Sequence, residues 1–226
     1  MNKLTIKLRS VARNFGLTKF IHKALPKNDY EERFDSALLD AINEGDTVWD
    51  IGANVGYYTQ KIATLVGENG RVFAMEPSPD AARTIEQFAL GSPSVTVVRS
   101  AVSNQLGEAC FDISGGGESM TNHLTAKASG GNQTVSVQVT TGDELAKNLG
   151  VPNIIKIDVE GFEHEVLEGM PSLLKESALR GVFCEVHFAI LEARGRSESP
   201  IWIERTLRDA GLKVQWVDSS HIVGSR

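Results

Sequence analysis

Asp50, Glu76, Asp158, Glu160, Glu185 and His187 each stand where a run of apolar residues gives way to polar ones. Carboxylates and an imidazole in such places can accept hydrogen bonds, hold cations or take up a proton. The earliest of them lies in the run Asp50-Ile51-Gly52-Ala53-Asn54-Val55-Gly56-Tyr57. A strand ending near an acid, then a glycine-bearing turn, then a helix aims N–H groups and a carboxylate at one small polar ligand. Twenty-four residues after Gly52, a second apolar run from Gly70 to Met75 ends in Glu76 and Pro77. An acid there can hold the two hydroxyls of a ribose. The pair therefore implies a nucleoside-bearing cofactor at the carboxyl ends of a parallel sheet.

Asn54 occupies the place where a dinucleotide fingerprint needs its middle glycine, which disfavours NAD and oxidoreductase chemistry. A cofactor with an amino-acid head, a ribose and no phosphate needs an anion for its ammonium and N–H groups for its carboxylate. Asp50 and the Gly52–Gly56 turn offer these, and Glu76 remains for the ribose. S-adenosylmethionine (SAM) fits that description. An N-cap role for Asp50 or a plain tight turn is common singly, but the joint pattern is much rarer by chance.

A second concentration of titratable groups is Asp158-Val159-Glu160-Gly161-Phe162-Glu163-His164, following the apolar Ile154–Ile157. Glu185 and His187 end the next run and point to one face of their strand. Helix capping explains any one acid, but uncompensated carboxylates at one edge repel each other. A base, a metal site or hydrogen bonds to substrate would each account for them. His164, one turn into a helix, reads as a surface residue.

Apolar runs and helical periodicity give the elements that must hold these groups. Helices are expected at 31–43, Tyr57–Leu65, Pro79–Leu90, 163–175 and in a stretch ending near Gly211. Strands are expected at Thr47–Ile51, Arg71–Met75, Val95–Val98, Ile154–Ile157, Gly181–Val186 and Leu212–Val217, with a hairpin partner at 221–224. Alternation of this kind argues for an α/β sandwich around a mainly parallel sheet. Residues 103–141 interrupt it as an insert. Strand Glu108–Ile113 and the alternating Val135, Val137 and Val139 flank glycine-rich segments that suit either disorder or a lid.

The chain has 226 residues, enough for one domain. Residues 1–28 hold seven of its 23 Lys and Arg and none of its 29 Asp and Glu, so the net charge of −6 divides into +7 and −13. An acidic body of that kind is a poor partner for nucleic acid. The arm reads as two short amphipathic helices, from Leu4 to Phe15 and from Leu17 to Leu25. They suit either a cap on the domain at 29–226 or a peripheral contact with an anionic membrane. No secretory leader or membrane span is evident, and Cys110 and Cys184 read as reduced core residues of a cytoplasmic protein.

The run Asp50–Thr59, the run Ile155-Lys156-Ile157-Asp158-Val159-Glu160-Gly161-Phe162-Glu163 and Glu185-Val186-His187 closely resemble the FkbM family of SAM-dependent methyltransferases, over about residues 32–190. The resemblance implies a three-layer Rossmann-like class I fold with a mainly parallel seven-stranded sheet. It also implies O-methylation of a sugar-containing acceptor such as a glycolipid, polysaccharide or glycosylated natural product. Asp50, Gly52, Ala53, Asn54, Gly56, Tyr57, Glu76 and Pro77 would line the SAM pocket, with Ser100 and Ala101 near the adenine. Against the usual fold, only His221–Gly224 is available for the last strand, which is therefore short or cut.

A sugar hydroxyl is a weak nucleophile, so a base should take its proton as the methyl group arrives. His187 and Asp158 are the candidates, with Glu160 and Glu185 orienting the base or bonding the sugar. No metal is required for this, although Asp158 and Glu185, with Glu160 and His187, offer ligands that suit Mg²⁺. Two rivals remain at this stage. One is a module that binds SAM without turnover, and the other is transfer to nitrogen or nucleic acid, which usually calls for an Asn/Asp-Pro-Pro-aromatic run.

Overall fold

The computed structural model describes residues 28–112, 124–125 and 134–226. Helix α1 (Asn28–Asp40) leads into β1 (Thr47–Ile51), α2 (Tyr57–Val66), β2 (Arg71–Met75), α3 (Pro79–Ala89) and β3 (Val95–Val98). Strands β4 (Ser100–Val102), β5 (Gly107–Asp112), β6 (Leu124–Thr125) and β7 (Thr134–Thr140) follow. The chain then continues through α4 (Gly142–Leu149), β8 (Ile154–Ile157), α5 (Glu163–Glu168), β9 (Gly181–Glu185), α6 (Phe188–Ala193), α7 (Ser199–Asp209), β10 (Lys213–Trp216) and β11 (His221–Ser225).

The main sheet has seven strands in the order β10-β11-β9-β8-β1-β2-β3. Strands β3, β2, β1, β8 and β9 run parallel, and β11 is antiparallel to both of its neighbours. From β1 the chain winds outward to β3 and then crosses back to β8. The strand order therefore reverses between β1 and β8, and ligands of open α/β sheets bind in the crevice outside such a reversal.

Both faces of this sheet are covered, so its strands are apolar on both sides. Trp49, Ile51, Ile155, Ile157, Val182 and Cys184 pack on the face shared with α5 and α7. Val48, Ile154 and Phe183 pack on the other, with Phe34 and Leu38 of α1 and Ile62 and Val66 of α2. By the same period of two, Asp50 and Lys156 project toward the α1–α2 face, and they are partners in register across β1 and β8. The ends of α3 show local encoding: the Ser78 hydroxyl caps its first turn by accepting from the Ala81 N–H, and Pro79 needs no donor there.

The helix expected over 163–175 ends at Glu168, and a single 3-10 turn covers Leu173–Lys175. The backbone of Gly169 lies against the Ser103 carbonyl, and Pro171 has no N–H with which to continue a helix. The helical stretch before Gly211 is two helices, parted at Gly195, whose φ is +71°. Helix α1 starts and stops about three residues earlier than periodicity suggests.

The insert supplies β5, β6 and β7 to a second sheet that includes β4 just before it, in the order β4-β7-β5-β6, with β5 and β7 antiparallel. Val137 and Val139 are buried while Ser136 and Gln138 face outward, as the alternation requires. The glycine-rich segments around Met120 and the basic arm up to Lys27 fall outside the described residues. Strand β11 has five residues, as many as β1, β2 and β9, so it is not the short strand expected, and it is paired on both sides, between β9 and β10. Cys184 is a core residue, whereas Cys110 is only partly buried.

Candidate active site

The turn after β1 is built from left-handed residues: Gly52, Asn54 and Gly56 have φ of +78°, +50° and +86°. Gly52 is obligatory for a second reason, since a Cβ there would overlap the Asp158 carbonyl oxygen. The turn after β1 and the loop after β8 are therefore in direct backbone contact. Most N–H groups of the turn are already engaged. Those of Gly52 and Ala53 reach the Met75 carbonyl, that of Asn54 reaches Glu76 Oε2 at 2.8 Å, and that of Gly56 reaches the Ala53 carbonyl. A ligand carboxylate is thus left with Val55 and the opening turn of α2, whose first N–H groups no helical carbonyl can reach.

Asp50, the anion expected to receive a ligand ammonium, is already engaged inside the protein. It has no exposed surface, its Oδ2 accepts the Thr59 hydroxyl at 2.6 Å, and its Oδ1 stands 3.1 Å from Lys156 Nζ. This second contact is an ion pair without hydrogen-bond alignment. Lys156 Nζ also donates to the Gly52 carbonyl at 3.1 Å and lies 3.5 Å from Asp158 Oδ2. Burial works against its charge, but Asp50 and Asp158 prevail and raise its pKa. The lysine thus ties the turn after β1 to the carboxylates after β8.

Glu76 ends β2 almost fully buried, its two oxygens accepting the N–H groups of Asn54 and Ser78. Burial raises its pKa to about 7 against those two bonds. Each oxygen keeps a second lone pair for a hydroxyl. Ser100 and Ala101 are buried in β4 next door, and the Ser100 hydroxyl has no hydrogen-bond partner among the described residues. Pro77 is half-buried, and Tyr57 opens α2 with its ring largely exposed.

Asp158, Glu160, Glu185 and His187 do converge. Around His187 Nε2, the nearest oxygens of Glu160, Asp158 and Glu185 lie at 3.3, 3.7 and 3.9 Å. The other ring nitrogen, Nδ1, is 2.7 Å from Oε1 of Glu163, a residue with no exposed surface. Glu163 was seen in the sequence motif without a role; the structure makes it the closest partner of the imidazole. Burial disfavours a charged His187, but Glu163, Asp158 and Glu160 outweigh it and lift its pKa to about 9. Burial pushes Glu160 up to about 7, assisted by the charges of Asp158, Glu185 and Glu163.

The carboxylates reach the imidazole through a strained turn. Glu160 has φ +50° and Gly161 +90°. A non-glycine residue in that region costs about 1–2 kcal/mol and needs support from its surroundings. On the far side of the cluster, Glu185 and His221 are register partners on β9 and β11, 3.5 Å apart. His221 also meets Asp218 at 2.7 Å and stacks on Phe34. Burial opposes its charge, but Asp218 and Glu185 raise its pKa to about 9.

Ligand atoms of Asp158, Glu185 and His187 lie within 4.8 Å of one another, a spacing that a divalent ion could bridge. His164 is not the surface residue expected: it is half-buried, stacked on Trp202 at 3.9 Å, with Nδ1 3.0 Å from the Ser199 hydroxyl. Lys156 was the residue that sequence reasoning passed over despite a signal. A lysine within Ile-Ile-Lys-Ile of a central strand must find an anion.

Comparison with known proteins agrees with this architecture. Residues 50–214 match the methyltransferase FkbM domain. The chain is similar to the hexuronic acid methyltransferase AglP of Haloferax volcanii, with 30% identity over 196 residues that span 84% of this chain and 74% of that protein. Among solved structures, methyltransferase FkbM from Methylobacillus flagellatus superposes with a TM-score of 0.56 at 14% identity, over 82% of this chain. This chain spans only 44% of that larger protein. The pre-rRNA processing protein fibrillarin of Methanococcus jannaschii superposes with a TM-score of 0.51 at 13% identity, over 81% of this chain and 67% of that one. At such identities these two structures show a shared fold alone.

Proposed function

Because the chain belongs to the FkbM methyltransferase family, we propose that it methylates a hydroxyl of a sugar-containing acceptor, with SAM as donor and His187 as base. The observation that carries this reading is the imidazole itself, locked at Nδ1 by buried Glu163 while Nε2 stands among Asp158, Glu160 and Glu185. The similarity to a hexuronic acid methyltransferase supports a sugar as acceptor.

SAM suits the residues at the ends of β1, β2 and β4. Glu76 has free lone pairs for ribose hydroxyls, Ser100 in β4 has a buried hydroxyl without a partner among the described residues, and the start of α2 offers N–H groups. When bound, SAM supplies an electrophilic methyl group on a sulfonium that departs as a thioether. The protein's own part is to orient the acceptor and to receive its proton. His187 Nε2 takes that proton as the oxygen becomes an ether. Glu163 holds the tautomer and balances the imidazolium charge. Asp158 and Glu160 accept hydrogen bonds from neighbouring sugar hydroxyls, which fixes the nucleophile in line. With the imidazole as base this reading calls for no metal, although Asp158, Glu185 and His187 stand close enough for an ion to bridge them.

The test is incubation with labelled SAM and a panel of uronic-acid, neutral-sugar and glycolipid acceptors. A labelled product stable to mild alkali is expected, as a methyl ether is. A label released by alkali would mean an ester, formed on a carboxylate that needs no base, and would remove His187 from its assigned role. EDTA should leave turnover unchanged; loss that Mg²⁺ restores would instead give Asp158, Glu185 and His187 to an ion. SAM bound without transfer to any acceptor would make the chain a binding module.

A further inference from the structure

Arg194 follows α6, and its side chain turns back onto the loop after β8. One guanidinium nitrogen donates to the Gly161 carbonyl, and the other pairs with buried Glu165 at 2.8 Å. The guanidinium plane covers the Phe162 ring, 3.6 Å from its centroid. Arg196 reaches the same Glu165 at 3.4 Å. A Cβ on Gly161 would overlap Ile190 of α6, so helix and loop touch there as well. On its other side, the Gly161 N–H donates to Glu163 Oε1 at 2.8 Å, the oxygen that also meets His187.

The left-handed Glu160–Gly161 pair is thus gripped from both sides, its N–H by Glu163 and its carbonyl by Arg194. We propose that Arg194 is a positioning residue for the catalytic cluster, holding the strained turn so that Glu160 stays beside His187. The inference rests on the reading of His187 as base. Arg194 touches none of the reacting groups; it acts through the backbone of Gly161. The grip joins the loops after β8 and β9 at two points, Glu163 to His187 at one and Gly161 to Arg194 at the other. Between these points a residue with free φ and ψ would return to the right-handed region, carrying the Glu160 carboxylate away from the imidazole.

The direction of one titration distinguishes positioning from simple charge. The groups facing His187 are Glu163, Asp158, Glu160 and Glu185, with Lys156 beside Asp158 and His221 beside Glu185. Deleting a cation and changing nothing else would raise the His187 pKa. Losing Glu160 from its side would lower it, by on the order of one unit.

The experiment is an NMR titration of the His187 ring in the full chain labelled at histidine, for wild type, Arg194→Ala and Arg194→Lys. The expected result is a downward shift in Arg194→Ala and a smaller one in Arg194→Lys, which keeps a donor for Gly161 but loses the fork. Turnover should fall about tenfold, with SAM affinity within about twofold of wild type in both variants. An unchanged or raised His187 pKa in the folded variants would overturn the proposal. Should Arg194→Ala fail to fold, Arg194→Lys decides by the same sign. The titration needs no acceptor, so a wild type that methylates no sugar would sink the functional reading and leave this result to stand or fall by itself.

Discussion

At the scale of single residues, the proposed reaction depends on one proton. His187 is raised to about 9, so at neutral pH the free protein holds it mostly as imidazolium. A base must be neutral to act; turnover should therefore climb as pH rises from about 6.5 toward about 9 and level off beyond. His187→Gln should remove that limb and lower kcat by roughly 10²–10⁴-fold while SAM binding is retained, which a pH series with a titration of SAM binding will check. Glu163→Gln keeps the shape of the side chain but not its charge. The imidazole loses its closest anion, so the limb should move to lower pH while kcat falls. A limb that stays in place would mean that Asp158 and Glu160 alone set the His187 charge. Lys156 teaches a different lesson at this scale. Its type and position were readable, but its partner is fixed by the pairing of β1 with β8, residues far apart in sequence.

Elements explain what could and could not be read beforehand. The central strands were legible because their apolar runs are bounded by glycine, proline and acids. The break after Glu168 was not, because it follows from Gly169 packing against Ser103, a contact between distant segments. Convergence of Asp158, Glu160, Glu185 and His187 was legible from strand ends, whereas the left-handed turn that delivers Glu160 was not. Two glycines make the element scale testable. Gly45 and Gly52 both have positive φ, but a Cβ on Gly45 meets nothing within 4 Å, while one on Gly52 would overlap the Asp158 carbonyl. Gly45→Ala should cost only the backbone term, about 1–2 kcal/mol. Gly52→Ala should cost clearly more and weaken SAM binding, because the two loops must part to admit the methyl group. Denaturant melts and calorimetric titration of the pair would show it. Equal losses at both sites would mean that the contact between the loops yields freely.

At the scale of the molecule, stability varies with pH. His187 and His221 are both raised above the ordinary histidine value, so each favours the fold while protonated. The stability they contribute is complete below about pH 6.5 and is lost as pH climbs through about 9. Glu160, raised to about 7, adds a loss between the ordinary carboxylate range and neutrality. The melting temperature should therefore be lower at pH 9.5 than at pH 6.5, by roughly 2–4 °C for each kcal/mol lost. A double substitution of both histidines by glutamine should flatten that dependence. Among the described residues no helix is long and apolar enough to cross a membrane.

The place where Gly52 meets the Asp158 carbonyl has a consequence for how such a protein can change over generations. One backbone atom separates the turn after β1 from the loop after β8, and a methyl group added at Gly52 finds no room unless that loop moves. Drift at this wall needs paired changes, which arise rarely. Exposed positions such as Ser136 and Gln138 of β7 carry no such constraint. Positions of that kind can therefore change singly, while Gly52 is passed on unaltered.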